Sequence, residues 1–96
     1  NTASGTNSLY SNTTGDENTA IGRAALFNNT TANYNTAVGD LALYSSTTGS
    51  NNTAVGNQTL DANTTGAQNT AVGRGALSSN TTGGYNVAIG DAAMEN

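Results

Sequence analysis

Asn52-Thr53-Ala54-Val55-Gly56, continued by Asn57-Gln58-Thr59-Leu60-Asp61-Ala62 and closed by Asn63-Thr64-Thr65-Gly66-Ala67-Gln68, is one unit of a repeat that runs through the whole chain. Its first five residues return as Asn18-Thr19-Ala20-Ile21-Gly22, Asn35-Thr36-Ala37-Val38-Gly39 and Asn69-Thr70-Ala71-Val72-Gly73. Variants begin at Asn1 (Asn-Thr-Ala-Ser-Gly) and at Asn86 (Asn-Val-Ala-Ile-Gly). The step is 17 residues each time, so the chain of 96 reads as five units starting at residues 1, 18, 35, 52 and 69, plus a partial unit over 86–96. Invariant columns at a fixed period mean that every copy meets the same environment. Stacked coils provide this, because each coil touches only its neighbours.

Positions are numbered here from the Asn that opens each unit. Position 1 is Asn, position 3 Ala and position 5 Gly in all six copies. Position 4 holds Ser4, Ile21, Val38, Val55, Val72 and Ile89, and position 9 holds Leu9, Leu26, Leu43, Leu60, Leu77 and Met94. Positions 13 and 14 are Thr-Thr wherever they occur, and position 15 is Gly or, at Ala32, alanine. Thr-Ala-Val alternates like a short strand, with Thr and Val on one face and Ala on the other. Ala-Leu at positions 8 and 9 opens a second short element. Asn-Thr-Thr-Gly reads as a turn in which Asn tolerates left-handed geometry and Gly supplies positive φ. A unit of this length suits a β-coil of two short strands and two turns. The absence of any Asn-Gly dipeptide favours parallel coils over hairpins. The expected fold is all-β, a parallel β-solenoid or β-roll forming a single repeat domain over residues 1–96.

Composition limits the chemistry. Asn, Thr, Gly, Ala and Ser supply 68 of the 96 residues, whereas Leu, Ile, Val and Phe number 13, too few for an ordinary globular core. Cys, His, Lys, Trp and Pro do not occur, which excludes thiolate, haem and zinc centres built on Cys or His and catalysis by either. No cofactor or metal is expected. Two Arg against six acidic residues argue against a nucleic-acid partner. No apolar run approaches the length of a membrane span. Low hydrophobicity by itself would suggest disorder, or an amyloid-like Asn-rich tract. The small net charge of -4 and the strict period oppose that.

The apolar columns predict a core of Ile21, Val38, Val55, Val72 and Ile89 with Leu26, Leu43, Leu60 and Leu77. One Val or Ile, one Leu and a few Ala per coil offset little of the entropy lost in ordering the backbone. So narrow an apolar stripe predicts a core shared with identical chains, three being the natural number. The ends depart too little from the pattern to be caps, so continuation into a longer fibre, or end-to-end stacking, is expected.

Asn86-Val87-Ala88-Ile89-Gly90 resembles the head repeat of trimeric autotransporter adhesins of the Yersinia-adhesin type, and Asn52-Thr53-Ala54-Val55-Gly56 looks like the same motif with Thr for the first Val. The longer pattern, through Ala-Leu to Asn-Thr-Thr-Gly, also resembles repeats of bacterial and phage tail-fibre-like proteins. The resemblance covers the whole chain. It implies a trimeric left-handed parallel β-roll in which Val87 and Ile89, or Thr53 and Val55, face the shared core. The adhesin repeat is usually shorter, and the extra residues fall between Leu and the Thr-Thr-Gly turn. What the resemblance implies about function is a structural segment of an extracellular fibre, on a cell surface or a virion, giving a rigid repetitive surface for attachment. Its partners would be further copies of itself and a host-surface protein or glycan.

A different class of reading makes the chain a binding module. Thr13, Thr30, Thr47, Thr64 and Thr81 form a column that could order water or ice, or carry glycans. Ice-ordering surfaces need outward Thr pairs separated by one inward residue, and adjacent Thr point to opposite faces, so hydroxyl-to-backbone bonding in a turn is the plainer reading. Asn12, Asn29, Asn63 and Asn80 each open an Asn-Thr-Thr sequon. Tyr10, Phe27 and Tyr44 share position 10 and either bind sugar or protein or cover the Leu column. Arg23 is predicted to pair with Asp40, and Arg74 with Asp91, one coil apart. The order polar-Arg-Asp occurs twice, a period of 51 residues. The Asn of position 1 is expected to form a stacked amide ladder. The acidic residues form no dyad that recurs, and an enzyme is not expected.

Overall fold

A computed structural model describes residues 1–95. Six three-residue strands follow one another: β1 (Thr2–Ser4), β2 (Thr19–Ile21), β3 (Thr36–Val38), β4 (Thr53–Val55), β5 (Thr70–Val72) and β6 (Val87–Ile89). They form one parallel sheet in the order β1-β2-β3-β4-β5-β6, each paired with the next at the same repeat position, as in Ala37 to Ala54 and Val38 to Val55. The chain is a β-solenoid with one repeat unit per coil, measuring 30 × 22 × 16 Å. Each coil contains one strand, not two. Positions 8 and 9 lie in a run of tight turns, where the position 8 amide donates to the Gly carbonyl of position 5 and the position 12 amide to the carbonyl of position 9, as in Ala42 to Gly39 and Ser46 to Leu43.

The coils are held by backbone bonds that alternate in direction. Thr36 N–H donates up to Asn52 O at 2.8 Å, and Gly39 N–H donates down to Ile21 O at 2.7 Å. This alternation depends on left-handed residues. Position 9 has φ near +52 in every coil (Leu9, Leu26, Leu43, Leu60, Leu77 and Met94), and non-glycine residues at positions 7 and 17 fall between +53 and +62. Each such residue costs about 1 kcal/mol or more against right-handed backbone. In return its amide reaches the adjacent coil: Leu26 donates to Ala42 O, Leu41 to Arg23 O and Asn51 to Asn33 O. The positive φ expected for the Asn-Thr-Thr-Gly turn is therefore elsewhere. Position 15 glycines have ordinary φ and are needed for space, because a Cβ on Gly15 would sit 2.5 Å from Ala32 O.

The interior is made of small residues and one leucine per coil. Ala20, Ala37, Ala54 and Ala71 point inward from the strands, packed with Ala25, Ala42 and Ala76 of position 8, and Leu26, Leu43 and Leu60 are 0% exposed. The other apolar column lies outside this interior. Ile21, Val38, Val55, Val72 and Ile89 do not enter the chain's own core: Ile21 is 43% exposed, Val55 36% and Ile89 71%, while Val38 and Val72 are half-buried. The strand period explains this, because inward Ala at position 3 forces positions 2 and 4 outward.

Buried asparagines complete the core. The position 1 side chains do not pair amide to amide along most of the column. Asn35 Nδ2 donates to Gly49 O across its own coil at 2.8 Å, and its Oδ1 accepts the backbone N–H of Asn52 at 2.8 Å. A second ladder stands at position 12, where Asn29 Nδ2 donates to Asn12 Oδ1 and Asn80 Nδ2 to Asn63 Oδ1, both at 2.9 Å. Ser46 interrupts it, and its buried Oγ and Asn29 Oδ1 both lack a partner. An asparagine there would donate to Asn29 Oδ1 and accept from Asn63 Nδ2. Ser46→Asn is expected to stabilise the fold by ~1–2 kcal/mol, read as a higher urea midpoint at unchanged slope. An unchanged or lower midpoint would contradict the ladder.

Candidate functional site

Three surfaces run the length of the solenoid. The outward strand face carries two straight columns, Thr19, Thr36, Thr53 and Thr70 beside Ile21, Val38, Val55, Val72 and Ile89, with Val87 replacing Thr in β6. Equal register between every pair of strands aligns the columns. The face therefore has the outward-inward-outward spacing that the Thr-Thr corner lacks, but with an aliphatic residue as the second member.

The Thr-Thr corner is the second surface. Thr13, Thr30, Thr47 and Thr64 donate their hydroxyls to the position 13 carbonyl of the next coil, at 3.0–3.3 Å. These hydroxyls belong to the backbone ladder, as the turn reading predicts. Thr81 is exposed, and so is the neighbouring column Thr14, Thr31, Thr48, Thr65 and Thr82. Among the sequon asparagines, Asn29 and Asn63 are 0% exposed and closed to glycosylation in the folded chain, and Asn12 and Asn80 are half-buried with amides bonded to Gly15 O and Gly83 O.

The third surface combines positions 6, 7 and 10. Tyr10 and Phe27 stack with centroids 5.0 Å apart and planes 3° from parallel, and Phe27 and Tyr44 stack at 5.3 Å and 22°. Each such pair contributes ~0.5–1.5 kcal/mol beyond area burial. Position 7 lies opposite, joined to position 10 by a tight turn in which Tyr44 N–H donates to Leu41 O. Between the two columns runs a groove of about 380 Å³ lined by Asn7, Arg23, Ala24, Phe27, Leu41, Tyr44 and Asp61. Beside it Arg23 makes a two-pronged pair with Asp40, Nε to Oδ1 at 2.8 Å and Nη2 to Oδ2 at 2.9 Å, and Asn57 Nδ2 donates to the same Asp40 Oδ2. Arg74 pairs with Asp91 at 2.8 Å, so both ion pairs expected from the sequence form between adjacent coils. They are exposed and worth ~0–1 kcal/mol each. A second concavity of about 280 Å³ is lined by Leu77, Ser79, Asn80, Thr81, Gly83, Asn86 and Met94.

Asp61 follows Tyr44 in the position 10 column. Burial pushes its carboxyl above the ordinary range, against backbone hydrogen bonds from Ala62 and its own N–H that pull it down. A folded-state pKa above the unfolded value means that the protonated form is favoured by folding. The associated stability is fully present below the unfolded pKa, near 4, and lost as pH rises through the folded one. Asp61→Asn is therefore expected to raise the melting temperature at pH 7 and to leave it unchanged near pH 3. Equal effects at both pH values would refute this.

Among the described residues no group of three or more acidic side chains is placed to hold a metal ion, and no helix is long and apolar enough to cross a membrane. No protein family, no curated protein and no solved structure matches the chain. The groove wall at position 7 was not singled out from the sequence. The column reads Asn7, Ala24, Leu41, Gln58, Gly75 and Ala92, and such variation hides a shared left-handed corner.

Proposed function

We propose that the chain is a structural segment of an extracellular fibre. It would pack with two further copies around a shared axis and present a rigid, repetitive outer surface for attachment. The observation that carries this reading is the outward aliphatic column. Ile21, Val38, Val55, Val72 and Ile89, with Val87 beside Ile89, place all of the chain's Val and Ile residues outside its own core, in a straight line along β2 to β6. A contiguous apolar face of this kind marks an interaction surface. A second copy fits it best, because an identical column has the same pitch and register at every coil. The resemblance of Asn86-Val87-Ala88-Ile89-Gly90 to adhesin head repeats supports the same arrangement and a place on a cell surface or virion.

The test is the native mass by light scattering with the particle diameter from electron microscopy. The expected mass is near three times the 9.5 kDa chain. Val55→Lys, which places a charge in the shared axis, should break the assembly into smaller species. A folded particle of one chain would overturn the proposal, and attention would move to the Thr columns and to thermal hysteresis as their assay.

A further inference from the structure

The aromatic column is not needed to build the solenoid. If Tyr10, Phe27 and Tyr44 served to cover the leucines, the leucines of later coils would lie open, because position 10 continues as Asp61, Ser78 and Glu95. They do not: Leu60 is 0% exposed and Leu77 3%, against 0% for Leu26 and Leu43. The internal repeat of 51 residues sharpens the comparison. Arg23 and Arg74, Tyr34 and Tyr85, and Asp40 and Asp91 match across it, whereas Phe27 becomes Ser78, Leu41 becomes Ala92 and Tyr44 becomes Glu95. Phe27, Leu41 and Tyr44 are walls of the groove, so this stretch of wall is replaced on an unchanged backbone, as are positions outside the groove such as Asn28, Asn33 and Thr36.

We propose that the groove between position 7 of the first three coils and position 10 of the second to fourth binds a short uncharged oligosaccharide. Its lining alternates apolar and polar groups, as a sugar's own surface does. Leu41 on one side and the edges of Phe27 and Tyr44 on the other meet the C–H patches of the rings, with the buried Ala24 beneath. Hydroxyls meet Asn7 at one end, Asp61 at the other, and on the rim the Arg23 nitrogen that Asp40 leaves free. A pyranose unit is about as long as one coil is thick, ~4.8 Å, so the groove takes about two or three units along the axis. Stacking already fixes the aromatic rings, so little side-chain freedom is lost on binding. Arg23 is neutralised by Asp40 and Asp61 adds a carboxyl, which disfavours an acidic sugar. The groove lies on one chain and does not depend on the trimer.

The full chain should be titrated with maltotriose, cellotriose, N-acetylated chitotriose and, as the acidic probe, trigalacturonate, following tyrosine fluorescence and calorimetric heat. At least one neutral trisaccharide is expected to bind, and more tightly than trigalacturonate. The double variant Phe27→Ser with Tyr44→Glu takes the residues the chain itself holds at Ser78 and Glu95. It should weaken binding about tenfold or more, the size set by ~1.4 kcal/mol of lost aromatic contact. Circular dichroism and native mass should stay unchanged, which separates this result from a failure of assembly. If the double variant does not fold, Leu41→Ala, with the residue found at Ala92, removes the opposite wall and should weaken binding as well. No binding by any neutral probe, preference for trigalacturonate, or binding unaffected by the wall substitutions would each overturn the proposal.

Discussion

Leu43→Ala is expected to cost ~3–5 kcal/mol and to be among the most damaging single truncations in the chain. Leu43 is fully buried in the third coil, with Leu26 and Leu60 above and below it in the same column. Apart from those two leucines, the apolar interior around it is alanine, whose side chains have no rotamers with which to fill a gap. Relaxation would need the coil itself to collapse, and the backbone bonds from Leu43 N–H to Thr59 O and from Leu26 N–H to Ala42 O oppose that. The cavity term should therefore be near its full value. The left-handed φ at this position remains strained after substitution, so nothing is recovered there. Chemical denaturation of wild type and variant gives the difference directly. A loss below ~1.5 kcal/mol would mean that the column is less tightly packed than the structure indicates.

Gly39→Ala should be comparably severe for an unrelated reason. Gly39 has φ of +138, a region that L residues rarely adopt, and an added Cβ would lie 2.6 Å from the carbonyl carbon of Gly56. The neighbour is backbone and cannot rotate away. Strain and overpacking of ~1–3 kcal/mol each sum to ~2–6 kcal/mol unless the coils separate. Separation would break the bond from Gly39 N–H to Ile21 O and the one from Gly56 N–H to Val38 O. The same change at Gly75 is the control. It too has positive φ, but a Cβ there meets only Ala92 Cα at 3.9 Å, and Ala24 already occupies the equivalent corner. Gly75→Ala should cost only the left-handed penalty of ~1–2 kcal/mol. Equal losses at Gly39 and Gly75 would show that conformation, not coil spacing, fixes the glycine column.

The coil, its length and its parallel register were legible because they follow from period alone. A step that never slips puts Ala54 beside Ala37 whatever the local geometry. The split of Thr-Ala-Val into outward and inward faces was legible too, from strand alternation. Which face belongs to the chain's own interior was not, since hydrophobicity points to Val and the structure chose Ala. A solenoid this thin has room on the strand side for a methyl group and little more. The left-handed corners were also hidden. Leu26, Tyr34 and Leu41 give no composition signal for positive φ, and their geometry is imposed by the need to send each N–H to a neighbouring coil. The aromatic stack and the Arg–Asp pairs were readable as columns. The groove was not, because it needs the distance between two columns, and a repeat alignment carries no such distance.

The alternating direction of the backbone bonds has a mechanical consequence. A chain pulled from its two ends is not stretched as a rod, because its covalent path winds around the axis and only hydrogen bonds and packing run along it. It unwinds from an end, one coil at a time, and each junction opens bond by bond. Every coil released lengthens the tether by nearly the same amount, about 5–6 nm for 17 extended residues less one coil thickness. Such a molecule yields in equal steps under load and can rewind on the remaining stack when the load falls. Load is then shed one coil at a time, and the unopened coils keep their register.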